Sequence, residues 1–180
     1  MLAYRDYCSP AEELIEWSGW NTDLPKFVQG LRPNGGGDYP EAAKTALIRT
    51  LQAVDKDTKT LIMWYADAPP HHYSVPSLNN AHTEAAAFPK GATDWVKLCH
   101  IAKKRNCTVF SFTPDSMAGQ STSFYVLLSE LTGGICITSK VFSKSSSIIY
   151  RLTLGMIMQW MGQPSDLEVP SPKCIFSTRS

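Results

Sequence analysis

Three groups of residues in this chain have types and spacing that would do chemistry. The first is Asp67, a carboxylate at the end of the apolar run Thr60-Leu61-Ile62-Met63-Trp64-Tyr65-Ala66 and just before Ala68-Pro69-Pro70-His71-His72. A buried strand that ends in an acid places one hard oxygen donor at a crevice, which suits Mg²⁺ or Mn²⁺ better than a soft metal. The same carboxylate would serve as well to accept loop amides and fix the turn before two prolines. The second group is Gly35-Gly36-Gly37-Asp38-Tyr39-Pro40-Glu41. Its glycines let the backbone approach a ligand closely, with Asp38 as the oxygen donor. Asp38 and Glu41 also have the spacing of a capping box, with Pro40 in the first helical turn, and an oxygen that caps amides has fewer lone pairs for a metal. The third group is His71-His72. Asp67, Asp38 and His71 around one ion would make a metal-dependent hydrolase with bound water as nucleophile, but adjacent side chains of an extended segment point to opposite sides, so at most one histidine faces a shared ion.

Other chemistries are excluded. There is no G-x-S-x-G, and no cysteine stands in a cationic or helix-start context that would activate it. The triple glycine is followed by Asp38 instead of Gly-Lys-Ser/Thr, so there is no phosphate-binding Walker loop. Lys103-Lys104-Arg105 is explained by the dipole of the helix it ends. His100 reads as a surface or interhelix residue, and His82 has no identifiable partner.

The elements that must hold these residues alternate between strand and helix. Leu2 to Tyr4 is a short strand, and Leu14 to Trp20 alternates as a half-exposed edge strand. A short helix with Leu24, Phe27, Val28 and Leu31 on one face follows, then a helix from Asp38 to about residue 54. Lys59 to Ala66 is a central strand covered on both faces. Residues 68 to 91 show no period. Then come a helix from about Thr93 to Arg105, a strand from Thr108 to Phe112, a helix from about Ser121 to Leu131, a strand from Ile135 to Thr138 and a helix from about Ser146 to Met161. This order predicts an open α/β sheet with helices on both faces, whose ligands sit beyond the carboxyl ends of the strands.

Composition agrees with one domain: 180 residues, 43% apolar and 18% charged. Lys plus Arg number 17 against 16 Asp plus Glu, a formal net charge of +1, so no bulk field draws nucleic acid or an anionic membrane. Cys8, Cys99, Cys107, Cys136 and Cys174 are odd in number and hold no C-x-x-C pair, which predicts reduced thiols and an intracellular, cytoplasmic protein. No signal peptide precedes the first strand. The longest apolar stretch, Leu152 to Met161, is half of the roughly 20 residues a membrane span needs.

Taken together, Tyr4-Arg5-Asp6-Tyr7, the loop Gly35 to Ala42, Ala66-Asp67-Ala68-Pro69-Pro70-His71 and Leu131-Thr132-Gly133-Gly134 resemble a von Willebrand factor A (vWA) domain of the intracellular eukaryotic type, as in alpha-kinase-associated proteins. The resemblance spans about residues 1 to 160. It implies a Rossmann-like three-layer α/β/α sheet, mostly parallel with one antiparallel edge strand, that binds a protein partner through a metal-ion-dependent adhesion site. By position Asp67 matches the aspartate after the family's fourth strand, often a ligand through water, and Asp38 stands in the loop of its threonine. The family's D-x-S-x-S is absent, so the resemblance implies a domain at residues 1–161 lacking its first strand and helix, as a truncated gene model or fragment would, with an irregular tail at 162–180. The expected function is a non-enzymatic protein-interaction module with a degenerate adhesion site and Mg²⁺ or Mn²⁺ at most. The alternatives are the hydrolase and an inactive fragment of a larger protein.

Overall fold

The computed structural model describes residues 1–7, 11–20, 23–33, 39–72, 94–117, 120–139 and 145–164. Strands β1 (Leu2–Tyr4) and β2 (Ile15–Trp17) flank a single helical turn, α1 (Ala11–Leu14). Helices α2 (Leu24–Gly30) and α3 (Ala43–Ala53) follow, then β3 (Thr60–Tyr65), α4 (Trp95–Lys104), β4 (Cys107–Pro114), α5 (Gln120–Thr132), β5 (Cys136–Ser139) and α6 (Ser146–Trp160). Local chemistry sets several ends. Asp94 caps α4 by accepting from the Val96 amide. Gly133, at φ +74°, takes the left-handed position that stops α5, and its neighbour Gly134 passes so close to β4 that a β-carbon would meet the Val109 carbonyl oxygen at 1.8 Å.

The fold is mixed α/β. Strands β3, β4 and β5 form a parallel sheet in that order, with Thr60 opposite Cys107 and Ser111 opposite Cys136. Side chains on alternate faces find different partners. Ile62, Trp64 and Val109 enter a core with Leu47 and Leu51 of α3, Trp95 and Leu98 of α4, and Tyr125 and Leu128 of α5. On the other face Leu61, Met63, Phe110 and Phe112 meet Leu152, Met156 and Trp160 of α6. Helices therefore cover both faces, as the alternating pattern predicts.

Three expectations change. The antiparallel pair is not the edge of the parallel sheet: β1 and β2 form a sheet of their own, in which Leu2 faces Trp17 and Tyr4 faces Ile15. Tyr4 meets Trp64 with 5.5 Å between ring centroids. The apolar stripe of α2 is not buried. Leu24 is 46% and Val28 47% exposed, and no residue of the helix is buried. The helix predicted to start at Asp38 starts at Ala43, with Ala42 as a cap that makes no side-chain bond, so Glu41 does not close a capping box from inside the helix. Glu41 is instead held in an isolated parallel bridge to Pro70.

Candidate functional site

The carboxyl ends of β1 and β3 and the approach to α3 converge on one region. The Ala42 amide donates to the Arg5 carbonyl at 3.3 Å, and the Glu41 amide donates to the Pro69 carbonyl at 2.9 Å. One extended segment thus joins the continuation of β1 to that of β3. Beneath it His71 Nε2 stands 2.8 Å from Asp6 Oδ1, and both side chains are buried. The Tyr7 ring lies 5.3 Å from the His71 ring, and the Tyr7 hydroxyl pairs with Thr45 Oγ1 at 2.8 Å. Tyr125 reaches in from α5, donating its hydroxyl to the Ala68 carbonyl at 2.7 Å. Burial pushes the Tyr4 and Tyr125 hydroxyls well above their ordinary range, so both stay neutral donors.

Asp67 lies where the sequence places it, just past the last strand residue of β3, and it is exposed. Asp38 and the triple glycine lie outside the described residues, as do His82 and most of residues 68–91 and 162–180. His71 is not available to Asp67. Its Nε2 is committed to Asp6, at 2% side-chain exposure. Among the described residues no group of three or more His, Cys, Asp or Glu side chains is placed to hold a metal. His100 is exposed on α4, as expected of a surface residue. The Asp6–His71 pair spans 65 positions and was not legible in the chain. The one signal was Asp6 after β1, matching Asp67 after β3 as a strand-end acid.

Chemically the region is a clamp. An Asp–His pair resembles the orienting half of a catalytic triad, but here the pair is enclosed and no described thiol or activated hydroxyl adjoins it. The described thiols are the reverse of activated. Burial raises Cys99 to about 12 and Cys136 to about 11, and it raises Cys107 as well. The chain has no C-x-x-C pair. A separate groove of about 490 Å³ runs between the hairpin and α3, lined by Leu2, Leu14, Ile15, Trp17 and Arg49 among others. Thr45, the partner of Tyr7 in the clamp, also lines it. Among the described residues no helix is long and apolar enough to cross a membrane.

Comparison with known proteins changes the reading of the whole. No family model matches the chain. Over 166 residues it is 37% identical to a protein of Acanthamoeba polyphaga mimivirus named as an ariadne-like RING finger protein. The alignment covers 90% of this chain and 16% of that protein, so the chain spans about a sixth of the relative it matches. This finding overturns the expected vWA family: the similarity leads to a RING finger protein, not to an adhesion domain. The non-enzymatic adhesion module with a degenerate metal site falls with it, as does the hydrolase, whose His71 is held by Asp6. The chain is similar to one segment of a much longer ariadne-like RING finger protein.

Proposed function

We propose that this chain acts as an α/β segment of an ariadne-like RING finger ubiquitin ligase, outside the zinc-binding part, where it presents a protein to the ligase. The carrying observation is the 37% identity along 90% of the chain. Two structural features support the division of labour. Among the described residues no group of three or more His, Cys, Asp or Glu side chains is placed to hold a metal, which does not suit RING zinc ligation. The clamp at the carboxyl edge joins β1, α3 and β3 through backbone bonds and a buried Asp6–His71 hydrogen bond. At the edge of this joined region Asp67 is exposed. A protein is the partner this reading requires, since ubiquitin transfer ends on one. Mg²⁺ and Mn²⁺ have no part in it; the metal of the assembly is zinc, held elsewhere in the ligase.

The test is a graft. The matched segment is deleted from the mimivirus relative, and this chain is inserted in its place. Each protein is then incubated with ubiquitin, activating and conjugating enzymes, ATP and a host-cell extract. Deletion is expected to spare self-ubiquitination and to remove a set of modified extract proteins, which the graft restores. An unchanged set after deletion, or a graft that restores nothing, overturns the proposal.

A further inference from the structure

Arg5 follows β1 and is buried, and its hydrogen bonds reach segments that lie far apart in the chain. Its backbone is fixed first: the amide donates to the Leu14 carbonyl at 3.1 Å, and the carbonyl accepts from the Ala42 amide at 3.3 Å. From that base the guanidinium divides its donors. Nε and Nη2 both donate to the Arg32 carbonyl, at 3.2 and 2.9 Å. Nη1 donates to the Glu13 carbonyl, and Nη2 also meets Glu16 Oε1 at 2.6 Å. A guanidinium is a rigid planar fork, so a carbonyl gripped by two of its donors is fixed in direction as well as in distance. Arg32 comes directly after Leu31, the residue that closes α2. The helix is complete in itself: Asp23 accepts from the Lys26 amide at one end, and the Leu31 amide donates to the Val28 carbonyl at the other. None of its seven residues is buried, and among the described elements none of the closely packed pairs includes it.

We propose that α2 is a latched arm: it swings from the fold as one unit, and the grip of the Arg5 guanidinium on the Arg32 carbonyl is the latch that holds it. A region with little buried apolar surface opens at lower free energy than a packed core. Hydrogen bonds from a charged donor are among the stronger ties available to such a region. The Arg5 side of the latch stays in place when the arm leaves, because its backbone is bonded to Leu14 and Ala42 and its side chain keeps Glu13 and Glu16. Opening breaks no core contact, since Leu24 and Val28 are exposed already. Water replaces the Arg32 carbonyl on the guanidinium, and closing restores both bonds together. The two arrangements share one α3–β3 core and differ in where the chain shows the apolar face of α2. Low-stability units of this kind are the ones from which binding and switching elements are drawn.

Native-state hydrogen exchange on the full chain, read by NMR at increasing urea below the unfolding transition, tests both the arm and the latch. The Phe27, Val28 and Gly30 amides should exchange through an opening that urea hardly affects, whereas those of Leu47 and Leu51 in α3 should follow urea steeply, because their exchange exposes the core. The Arg5 Nε–H should exchange in the same opening as the α2 amides. Arg5→Lys keeps a charge for Glu16 but loses the fork, and it should speed exchange of the α2 amides about tenfold relative to those of α3. Glu16→Gln leaves the fork intact and should leave the α2 amides unchanged. Should Arg5→Lys not fold, the Arg5 Nε–H of the unmodified chain still decides. Three results would each overturn the proposal: α2 amides as urea-sensitive as those of α3, an Arg5 Nε–H that exchanges only with the α3 amides, or α2 exchange unaltered in folded Arg5→Lys.

Discussion

Asp6 and His71 carry the sharpest expectation at the level of single residues. The pair is enclosed at 2.8 Å, so removing one partner leaves the other buried without its counterpart. His71→Ala is expected to cost about 3–5 kcal/mol in urea denaturation, whereas replacing both residues, Asp6→Leu with His71→Phe, should cost less than either single change. A double change as damaging as the sum of the singles would show that the pair is not acting as a unit. Gly134 is the second case. A β-carbon there meets backbone, the Val109 carbonyl at 1.8 Å, and backbone in the middle of a sheet cannot move aside. Gly134→Ala should lose at least the ~1–3 kcal/mol typical of overpacking. Gly133→Ala should lose about 1–2 kcal/mol, from its positive φ alone, since nothing lies within 4 Å of its β-carbon. Chemical denaturation of the two variants separates close approach from conformational strain.

Among the elements, α2 and β3 show how far a periodic pattern can be trusted. Both were legible from apolar spacing, and both exist close to the predicted bounds. Burial followed in β3, where Ile62 and Trp64 enter the core, but not in α2, whose stripe faces outward. Periodicity reports that a face is apolar; it does not report what stands opposite. Val28→Ser is therefore expected to change stability by no more than about 0.5 kcal/mol, while Trp64→Ala should cost roughly 3–5 kcal/mol. A large loss at Val28 in a thermal melt would place α2 against the core after all. The antiparallel pair was legible as a short strand at Leu2 to Tyr4 and an edge strand at Leu14 to Trp20, of which only Ile15–Trp17 forms, with Leu14 in the turn of α1. Its separation from the parallel sheet was not, because register and neighbour depend on backbone bonds between segments far apart in the chain.

For the molecule as a whole, the buried thiols and phenols fix how stability responds to pH. The Cys99 and Cys136 thiols ordinarily titrate near 9 and are raised to about 12 and 11 by burial. A group whose folded pKa is raised contributes stability that is complete below its unfolded pKa and is lost as pH rises through the folded one. Stability should therefore hold up to about pH 9 and decline steadily between about pH 9 and 12, a trend that Cys99→Ala with Cys136→Ala would flatten. Urea midpoints across that range provide the measurement, and an alkaline decline unaltered in the double variant would assign it to other groups. The zinc chemistry of the relative's name leads to a further expectation at this scale. Chelator should leave the melting temperature of this chain unchanged, because among the described residues no His, Cys, Asp or Glu group is placed to hold a metal. A drop of several degrees would place a structural zinc within these 180 residues.

The sequence by itself determined the alternating α/β order, the strand that ends at Asp67, the Thr-Gly-Gly stop after α5 and the lack of a phosphate loop or activated nucleophile. Those features are local, set by period, turn chemistry and the few residues that each motif spans. Family and function were misread, because the glycine and D-A-P-P-H signals are short and mark loop geometry more firmly than ancestry. Only the tertiary structure decided that His71 belongs to Asp6 and not to Asp67, that Glu41 bridges two strands instead of capping a helix, and that among the described strands β1 and β3 belong to separate sheets. Each depends on contacts between residues roughly 30 to 65 positions apart, where the chain's path through space, and not its local chemistry, selects the partner.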